Sequence, residues 1–159
     1  MAVKVFVESV RINLQTNTRV VLLKDMKLDR CLLIHIGDAE SFAIAAELQG
    51  HRHARPLTHD LITTILERLG ARITNVLIHS LRDEVFFATL TIEHGDRRLE
   101  IDARPSDSIA LAIRCDAPIF VEEDVFEQAG VKVSLQSEDE KPDDDKLAIF
   151  RDFVNQLDI

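Results

Sequence analysis

The chain has 159 residues, of which 46% are hydrophobic and 30% charged, and it carries a formal net charge of −9. This length and composition fit one folded soluble domain, or such a domain with an appendage. They exclude an intrinsically disordered protein, and no apolar run approaches the roughly 18 residues of a membrane-spanning helix. The two cysteines, Cys31 and Cys115, are too few and too far apart for a disulfide framework or a zinc site, and the sequence starts without a signal peptide, which together predict a cytoplasmic protein.

The first half of the sequence predicts three strands followed by two helices. Valines that alternate with other residues near the N-terminus, and two later apolar runs, indicate the strands. The predicted strands are 3–7, 18–23 and 31–36. Residues 38–49 are apolar on nearly every side and predict a helix that is buried on most of its surface. After a basic loop, Thr58 is expected to cap a second helix that ends at Leu69.

The second half repeats the order of three strands and a helix. The predicted strands are 73–81, 85–93, 97–103 and 119–121, and the predicted helices are 105–114 and 123–129. Acidic and polar residues then dominate a predicted linker, and an amphipathic pattern predicts a last helix. The predicted domains are the body, 1–131, the acidic linker, 132–145, and a C-terminal helical appendage, 146–159.

The two halves of the body resemble each other at an offset of 67 residues. Residues 40–45 (ESFAIA) then align with residues 107–112 (DSIALA), and both segments follow an apolar strand. The offset predicts an internally pseudo-duplicated body with the 58–69 helix inserted between the halves. The expected fold class is α+β, with a mixed, mainly antiparallel sheet and buried helices.

The acidity is concentrated near the C-terminus. Residues 1–121 hold 15 Lys and Arg against 16 Asp and Glu, whereas residues 122–145 hold two basic residues against ten acidic ones. A nearly neutral body weakens the argument that the overall acidity makes against nucleic-acid binding. The acidic run 138–145 has two interpretations: a solvated linker, or a segment that lies across the basic loop 51–55 and competes with phosphate groups.

Four short segments point to a known family. They are residues 35–40 (HIGDAE), 55–61 (RPLTHDL), 101–110 (IDARPSDSIA) and 117–121 (APIFV). In sequence, order and spacing they resemble the bifunctional nuclease domain family, and the resemblance extends over residues 3–131. It implies a compact α+β domain and the cleavage of both DNA and RNA.

Three carboxylates near helix starts are candidate metal ligands. Phosphodiester cleavage by carboxylates commonly uses Mg²⁺ or Mn²⁺ held by two or three oxygen ligands. Asp102 and Asp107 flank one strand-to-helix turn, and Glu40 is the counterpart of Asp107 in the first half, so these three are the predicted ligands. The alternative is that the acids only stabilise helix N-termini or pair with arginines.

His59 is the predicted general base, and Asp60 is expected to orient it. An imidazole with an ordinary pKa near 6.5 suits proton transfer at neutral pH. Arg52, Arg55 and Arg104 are the predicted phosphate-binding residues, since the last two precede prolines at expected helix starts. The chain has no Tyr and no Trp, so base stacking and sequence-specific recognition of single strands are not expected.

These features predict a sequence-nonspecific, metal-assisted nuclease that binds DNA or RNA weakly in one cleft. The residues expected to converge there are Glu40, Arg55, Asp60, Asp102, Arg104 and Asp107. Two other interpretations stay open: a non-catalytic binding or regulatory module for a small anionic ligand or a protein partner, and a purely structural lock between the halves. A homodimer is also expected, because strand 18–23 is too apolar for a bare edge and the last helix needs a surface to cover.

Overall fold

The computed structural model describes residues 1–132, so most of the predicted acidic linker and the whole C-terminal helix lie outside the described residues. The strands are β1 (Ala2–Asn13), β2 (Thr18–Asp25), β3 (Arg30–Ile36), β4 (Ala71–Arg82), β5 (Val85–His94), β6 (Arg97–Ala103), β7 (Ile119–Glu122) and β8 (Val131–Lys132). The helices are α1 (Asp38–Leu48), α2 (Thr58–Arg68), α3 (Pro105–Cys115) and α4 (Glu123–Ala129). Every strand and helix predicted for this range is present, and only the short β8 was not predicted. None of these helices has the length and apolar character needed to cross a membrane.

The eight strands form one sheet in the order β6-β5-β4-β7-β1-β2-β3-β8. Every neighbouring pair is antiparallel except β4 and β7, which confirms the α+β class and the mixed, mainly antiparallel sheet.

The expectation that residues 18–23 form an apolar edge strand is wrong, because β2 lies between β1 and β3. Val21, Leu22 and Leu23 are all buried, so both faces of β2 are covered within the chain itself. Among residues 1–132 the outer strands are β6 and β8.

The strand order has the arrangement expected of an internal duplication. β7 lies near the centre, antiparallel to β1 and parallel to β4, and the units β1-β2-β3 and β4-β5-β6 extend from it in opposite directions. A helix follows each unit, α1 after the first and α3 after the second, and these two helices pack against each other. The inserted helix α2 packs on α3 and β4. As a result, the first turns of α1, α2 and α3 line a common cavity.

A network of ion pairs joins β2 and β3 to α4. The Arg30 guanidinium donates to Asp25 Oδ2 at 2.7 Å and to the two carboxylate oxygens of Glu123 at 2.5 and 2.8 Å. It also lies 4.3 Å from the centre of the Phe126 ring. The Asp25 side chain is only 1% exposed. Burial alone would raise the pKa of Asp25, but hydrogen bonds from the Lys27 backbone and from Arg30 hold that pKa below its ordinary value.

Candidate functional site

A cavity of about 560 Å³ lies between α2 and the β5-β6 end of the sheet. Most of its wall is apolar. The apolar lining residues with large side chains are Ile62, Leu66, Leu90, Ile92, Ile101 and Leu111. One end of the cavity is polar and is formed by Glu40, His59, Arg104 and Asp107, which we call the polar end. Glu40, His59 and Asp107 lie in the first turns of α1, α2 and α3 respectively. Arg104 immediately precedes α3.

Hydrogen bonds connect the four residues of the polar end into one chain. His59 Nε2 lies 3.0 Å from Asp107 Oδ1, although the two residues are 48 positions apart in the sequence. Arg104 Nε donates to Asp107 Oδ2 at 2.8 Å, and Arg104 Nη2 donates to Glu40 Oε1 at 2.6 Å. A single guanidinium therefore joins an acid of the first half of the fold to an acid of the second half.

The local sequence explains why these side chains meet. Pro105 occupies the first turn of α3 and keeps Arg104 in an extended conformation, with φ −65° and ψ 145°. Arg104 can then reach forward to Asp107, three residues later, and across to Glu40. Acidic residues are favoured in the first turn of a helix because they face its partial positive charge. The same preference that stabilises α1 and α3 thus places two carboxylates beside one arginine.

The electrostatics of the polar end keep Asp107 ionised. Burial alone would raise the pKa of the Asp107 carboxyl, but hydrogen bonds from Arg104 and His59 outweigh it and hold the pKa below its ordinary value. The two carboxylates in turn raise the pKa of Arg104, Asp107 contributing more than Glu40. The side chain of His59 is 9% exposed, whereas that of Arg104 is 65% exposed. The histidine is therefore held inside, and the arginine faces solvent.

The Asp107 carboxylate also assigns the tautomer of His59. An ionised carboxylate only accepts hydrogen bonds, so the proton of the neutral imidazole is placed on Nε2. Nδ1 then carries the free lone pair, and no group in residues 1–132 hydrogen-bonds to it. This arrangement can accept a proton at Nδ1 while Asp107 stabilises the positive charge that results.

The expectation that Asp60 orients His59 is wrong, because Asp60 bonds to other groups. Its Oδ1 accepts from Arg114 Nε at 2.7 Å, and its Oδ2 accepts from the backbone N–H of Leu57 at 2.8 Å. Burial alone would raise the pKa of Asp60, but Arg114 and the Leu57 backbone hold it below its ordinary value. The carboxylate of Asp60, rather than the hydroxyl of Thr58, thus binds the free backbone donor before α2. The orienting acid is Asp107, which adjacency in the sequence could not reveal.

The three predicted metal ligands, Glu40, Asp102 and Asp107, do not lie together in one cluster. Arg104 bonds to both Glu40 and Asp107 and so supplies the positive charge that a cation would provide between them. Asp102 is exposed on β6, and strand alternation directs its side chain away from the face of Ile101 and Ala103, which line the cavity. No group of three or more His, Cys, Asp or Glu side chains in residues 1–132 has a metal-binding arrangement. Binding of Mg²⁺ or Mn²⁺ by Glu40, Asp102 and Asp107 therefore stays a prediction.

Only one of the three predicted phosphate-binding arginines lines the cavity. Arg104 belongs to the polar end, whereas Arg52 and Arg55 are exposed on the loop before α2 and do not line the cavity. Of the six residues expected to converge, the structure thus brings together Glu40, Arg104 and Asp107. His59 joins them. Asp60, Asp102 and Arg55 lie outside the cavity lining.

Arg114 is a residue that the sequence argument did not select. Besides Asp60, its guanidinium binds the backbone carbonyl oxygens of Ala110 and Ala43, at 2.9 and 3.1 Å, and its side chain is 5% exposed. It therefore ties the first turn of α2 to α1 and α3. The available signal was an arginine in the last turn of α3, directly after the apolar run 109–113, at the position that corresponds to Glu47 in the first half.

We expect the protein to lose stability steeply in acid. The pKa values of Asp25, Asp60 and Asp107 are lower in the folded chain than the ordinary value of 3.8. The unfolded chain therefore binds protons first as the pH falls, so their stabilisation is complete above pH 3.8 and disappears as the pH drops through the folded-state values. Urea unfolding at a series of pH values measures this. The Asp60→Asn variant should show a shallower fall, and identical acid slopes would contradict the assignment.

Comparison with known proteins agrees with the sequence resemblance. Residues 20–134, most of the chain, match the bifunctional nuclease domain. An uncharacterized protein of Mycobacterium tuberculosis H37Rv is 39% identical over 157 residues, which cover 97% of this chain and 94% of that protein. Bifunctional nuclease 1 of Oryza sativa subsp. indica is 28% identical over 134 residues, covering 75% of this chain and 40% of that protein. Bifunctional nuclease 2 of Arabidopsis thaliana is 26% identical over 124 residues, covering 76% of this chain and 38% of that protein. The chain therefore belongs to the bifunctional nuclease domain family.

Proposed function

We propose that the chain hydrolyses phosphodiester bonds of DNA and RNA at the polar end of the cavity, without sequence specificity. The observation that carries the proposal is the buried His59, bonded through Nε2 to an ionised Asp107 and placed beside the exposed Arg104. Such a group combines a proton acceptor with a phosphate-binding cation, as the cleavage of a phosphodiester requires. Relatives named bifunctional nucleases support the same activity class.

In this proposal His59 handles the proton. Nδ1 accepts a proton from the water that attacks phosphorus, and the Asp107 carboxylate balances the charge of the resulting imidazolium. The departing oxygen lies on the opposite side of phosphorus and takes its proton from a second water molecule, and the imidazolium returns its own proton to solvent. Because water is the nucleophile, the absence of a 2′-hydroxyl in DNA does not prevent the reaction.

Arg104 binds the phosphate. Its bonds to Glu40 and Asp107 use two of the five guanidinium N–H groups, and the remaining donors face solvent with the exposed part of the side chain. Contacts to phosphate carry no sequence information, so a site built on Arg104 accepts any base sequence. Arg52 and Arg55, on the neighbouring loop, are proposed to bind phosphates further along a longer substrate.

Both substrates, DNA and RNA, occur in the cytoplasm, the compartment that the two free cysteines predict.

A second candidate function is a binding or regulatory module. It is favoured by the apolar wall of the cavity, since a phosphodiester has no need of Ile62, Leu90 or Leu111. A ligand with an anionic group and an apolar portion would place the anion at Arg104 and the apolar portion against this wall. Such a protein would be stabilised by the ligand and would release no product.

The deciding experiment compares the purified chain with its His59→Gln variant on single-stranded DNA and RNA. Each reaction is run with Mg²⁺, with Mn²⁺ and with a chelator, because metal assistance stays a prediction. We expect cleavage of both substrates and a loss of roughly 10²–10⁴-fold in the variant. The control is His79→Gln, on β4 and outside the cavity lining, which should retain full activity. Equal activity in all three proteins would overturn the role assigned to His59, and no activity together with a thermal shift by nucleotides would favour the binding module.

A further inference from the structure

The outer edge of β6 is available for pairing. β6 bonds to β5 along seven positions, from Arg97 to Ala103, and no strand in residues 1–132 pairs with its other side. Nearly the whole strand is exposed, including Leu99 at 36% and Ile101 at 43%. A long edge with apolar residues and free backbone groups is a template for another strand.

The charges along β6 favour a second copy of the same strand. Its N-terminal end carries Arg97 and Arg98, and its C-terminal part carries Glu100 and Asp102. Charged side chains, most often lysines, commonly protect an exposed edge against pairing, and charges of one sign repel a second copy. Here the two ends differ in sign, so an antiparallel second copy meets opposite charges, whereas a parallel copy would meet like charges.

We propose that two copies of this chain associate through antiparallel pairing of β6 with β6, in a register centred on Leu99. This register places Leu99 opposite Leu99 at the two-fold axis and Arg98 opposite Glu100 of the second copy on both sides of it. Within one copy Arg98 and Glu100 are 3.9 Å apart and both about two-thirds exposed, so they are free to exchange partners. The interface is isologous, as closed two-fold dimers require.

The proposed pairing would also add a residue to the cavity that holds the polar end, a consequence that rests on the proposed function. Residues 97, 99, 101 and 103 of β6 share one face, and Ile101 and Ala103 of that face line the cavity. In the same register Arg97 of the second copy lies opposite Ile101. Each cavity then gains a guanidinium from the other copy near its mouth, where a negatively charged substrate must enter.

The first test is oligomeric state, which does not depend on nuclease activity. Light scattering of the full chain should give twice the monomer mass of 18.0 kDa. Arg98→Glu and Glu100→Arg should each weaken association by at least about tenfold, because each places like charges opposite each other. The double variant Arg98→Glu/Glu100→Arg should restore the dimer. The control is the same exchange at the exposed Arg72–Glu93 pair, 2.9 Å apart on β4 and β5, which should leave the mass unchanged.

The outcomes separate the interface from the proposed function. A monomeric full chain, a dimer that persists in both single variants, or a double variant that stays dissociated would each overturn the pairing. If the dimer behaves as expected, Arg97→Gln should keep it intact and weaken binding of single-stranded DNA at low salt by about tenfold. In a mixed dimer of the His59→Gln and Arg97→Gln variants, one cavity has both its own His59 and Arg97 from the other copy. The mixture should therefore cleave more substrate than the two variants do when they are assayed separately and their activities are added. A rescued dimer without any cleavage would refute the nuclease proposal and leave the interface standing.

Discussion

Asp107→Asn is expected to lower the rate of phosphodiester cleavage by roughly 10²–10⁴-fold, the range attributable to general acid–base catalysis. The variant keeps the size of the side chain but removes the charge that balances a protonated His59. An amide at this position can also donate to Nε2 and favour the tautomer with its proton on Nδ1, which removes the acceptor. The fold should survive, since Asp107 is partly exposed and its pairing with Arg104 is open to solvent.

A matched control for this variant is Asp38→Asn. Asp38 is also an acid in the first turn of a helix, and it also pairs with an arginine, Arg19, but it does not line the cavity. Both variants should lose about 1 kcal/mol or less of stability, because both lose a favourable charge at a helix N-terminus. Only Asp107→Asn should lose activity. If Asp107→Asn instead fails to fold while Asp38→Asn is stable, the polar end is a structural lock between the two halves.

Arg30→Met is expected to destabilise the chain by about 3–5 kcal/mol, the cost of leaving a buried charge without its partner. The carboxylate concerned is Asp25, whose side chain is almost completely inaccessible to water and whose ion pair with Arg30 would be lost. Met keeps the unbranched apolar stem of the Arg side chain, but it is shorter and lacks the guanidinium that lies over the Phe126 ring. Comparison with the double variant described next separates the effect of the buried charge from the loss of this contact. Urea unfolding measures the change in the free energy of unfolding.

Two further variants make this stability prediction specific. In the double variant Asp25→Asn/Arg30→Met no charge is left buried, so it should be more stable than Arg30→Met alone. Arg72→Met removes an exposed arginine from its pair with Glu93 and should cost less than about 1 kcal/mol. A loss below about 1 kcal/mol for Arg30→Met, or a double variant less stable than the single one, would contradict the buried-charge interpretation.

The order of strands and helices could be predicted because each element has a clear local pattern. Alternating apolar residues mark β1, and Pro105 and Gly70 mark where α3 begins and where the chain leaves α2. The position of β2 inside the sheet could not be predicted in this way. An apolar run indicates a strand with both faces covered, but the cover can come from a second chain or from the same one, and only the long-range pairing decides.

The candidate site could be predicted only in part, for the same reason. Helix-start patterns selected Glu40, His59 and Asp107 as separate features, and the internal repeat related two of them. Their partners are decided by contacts across 48 and 64 positions, which no local pattern contains. His59 was therefore assigned to the adjacent Asp60, whereas the packing of α2 against α3 gives it Asp107 and leaves Asp60 to Arg114.

The residue before the helix differs between the two halves, and this difference determines that the polar end is a single, asymmetric arrangement. At the offset of 67, Arg104 corresponds to Gly37, and both residues immediately precede the helix of their half. At Gly37 the carboxylate of Glu40 occupies the space of a Cβ atom. Two identical halves would carry either two glycines or two arginines here, so they could not build the present arrangement of one arginine shared by two acids. Because the two positions lie in one polypeptide they can carry different residues, and residues 1–132 then hold one asymmetric arrangement in place of two equivalent ones.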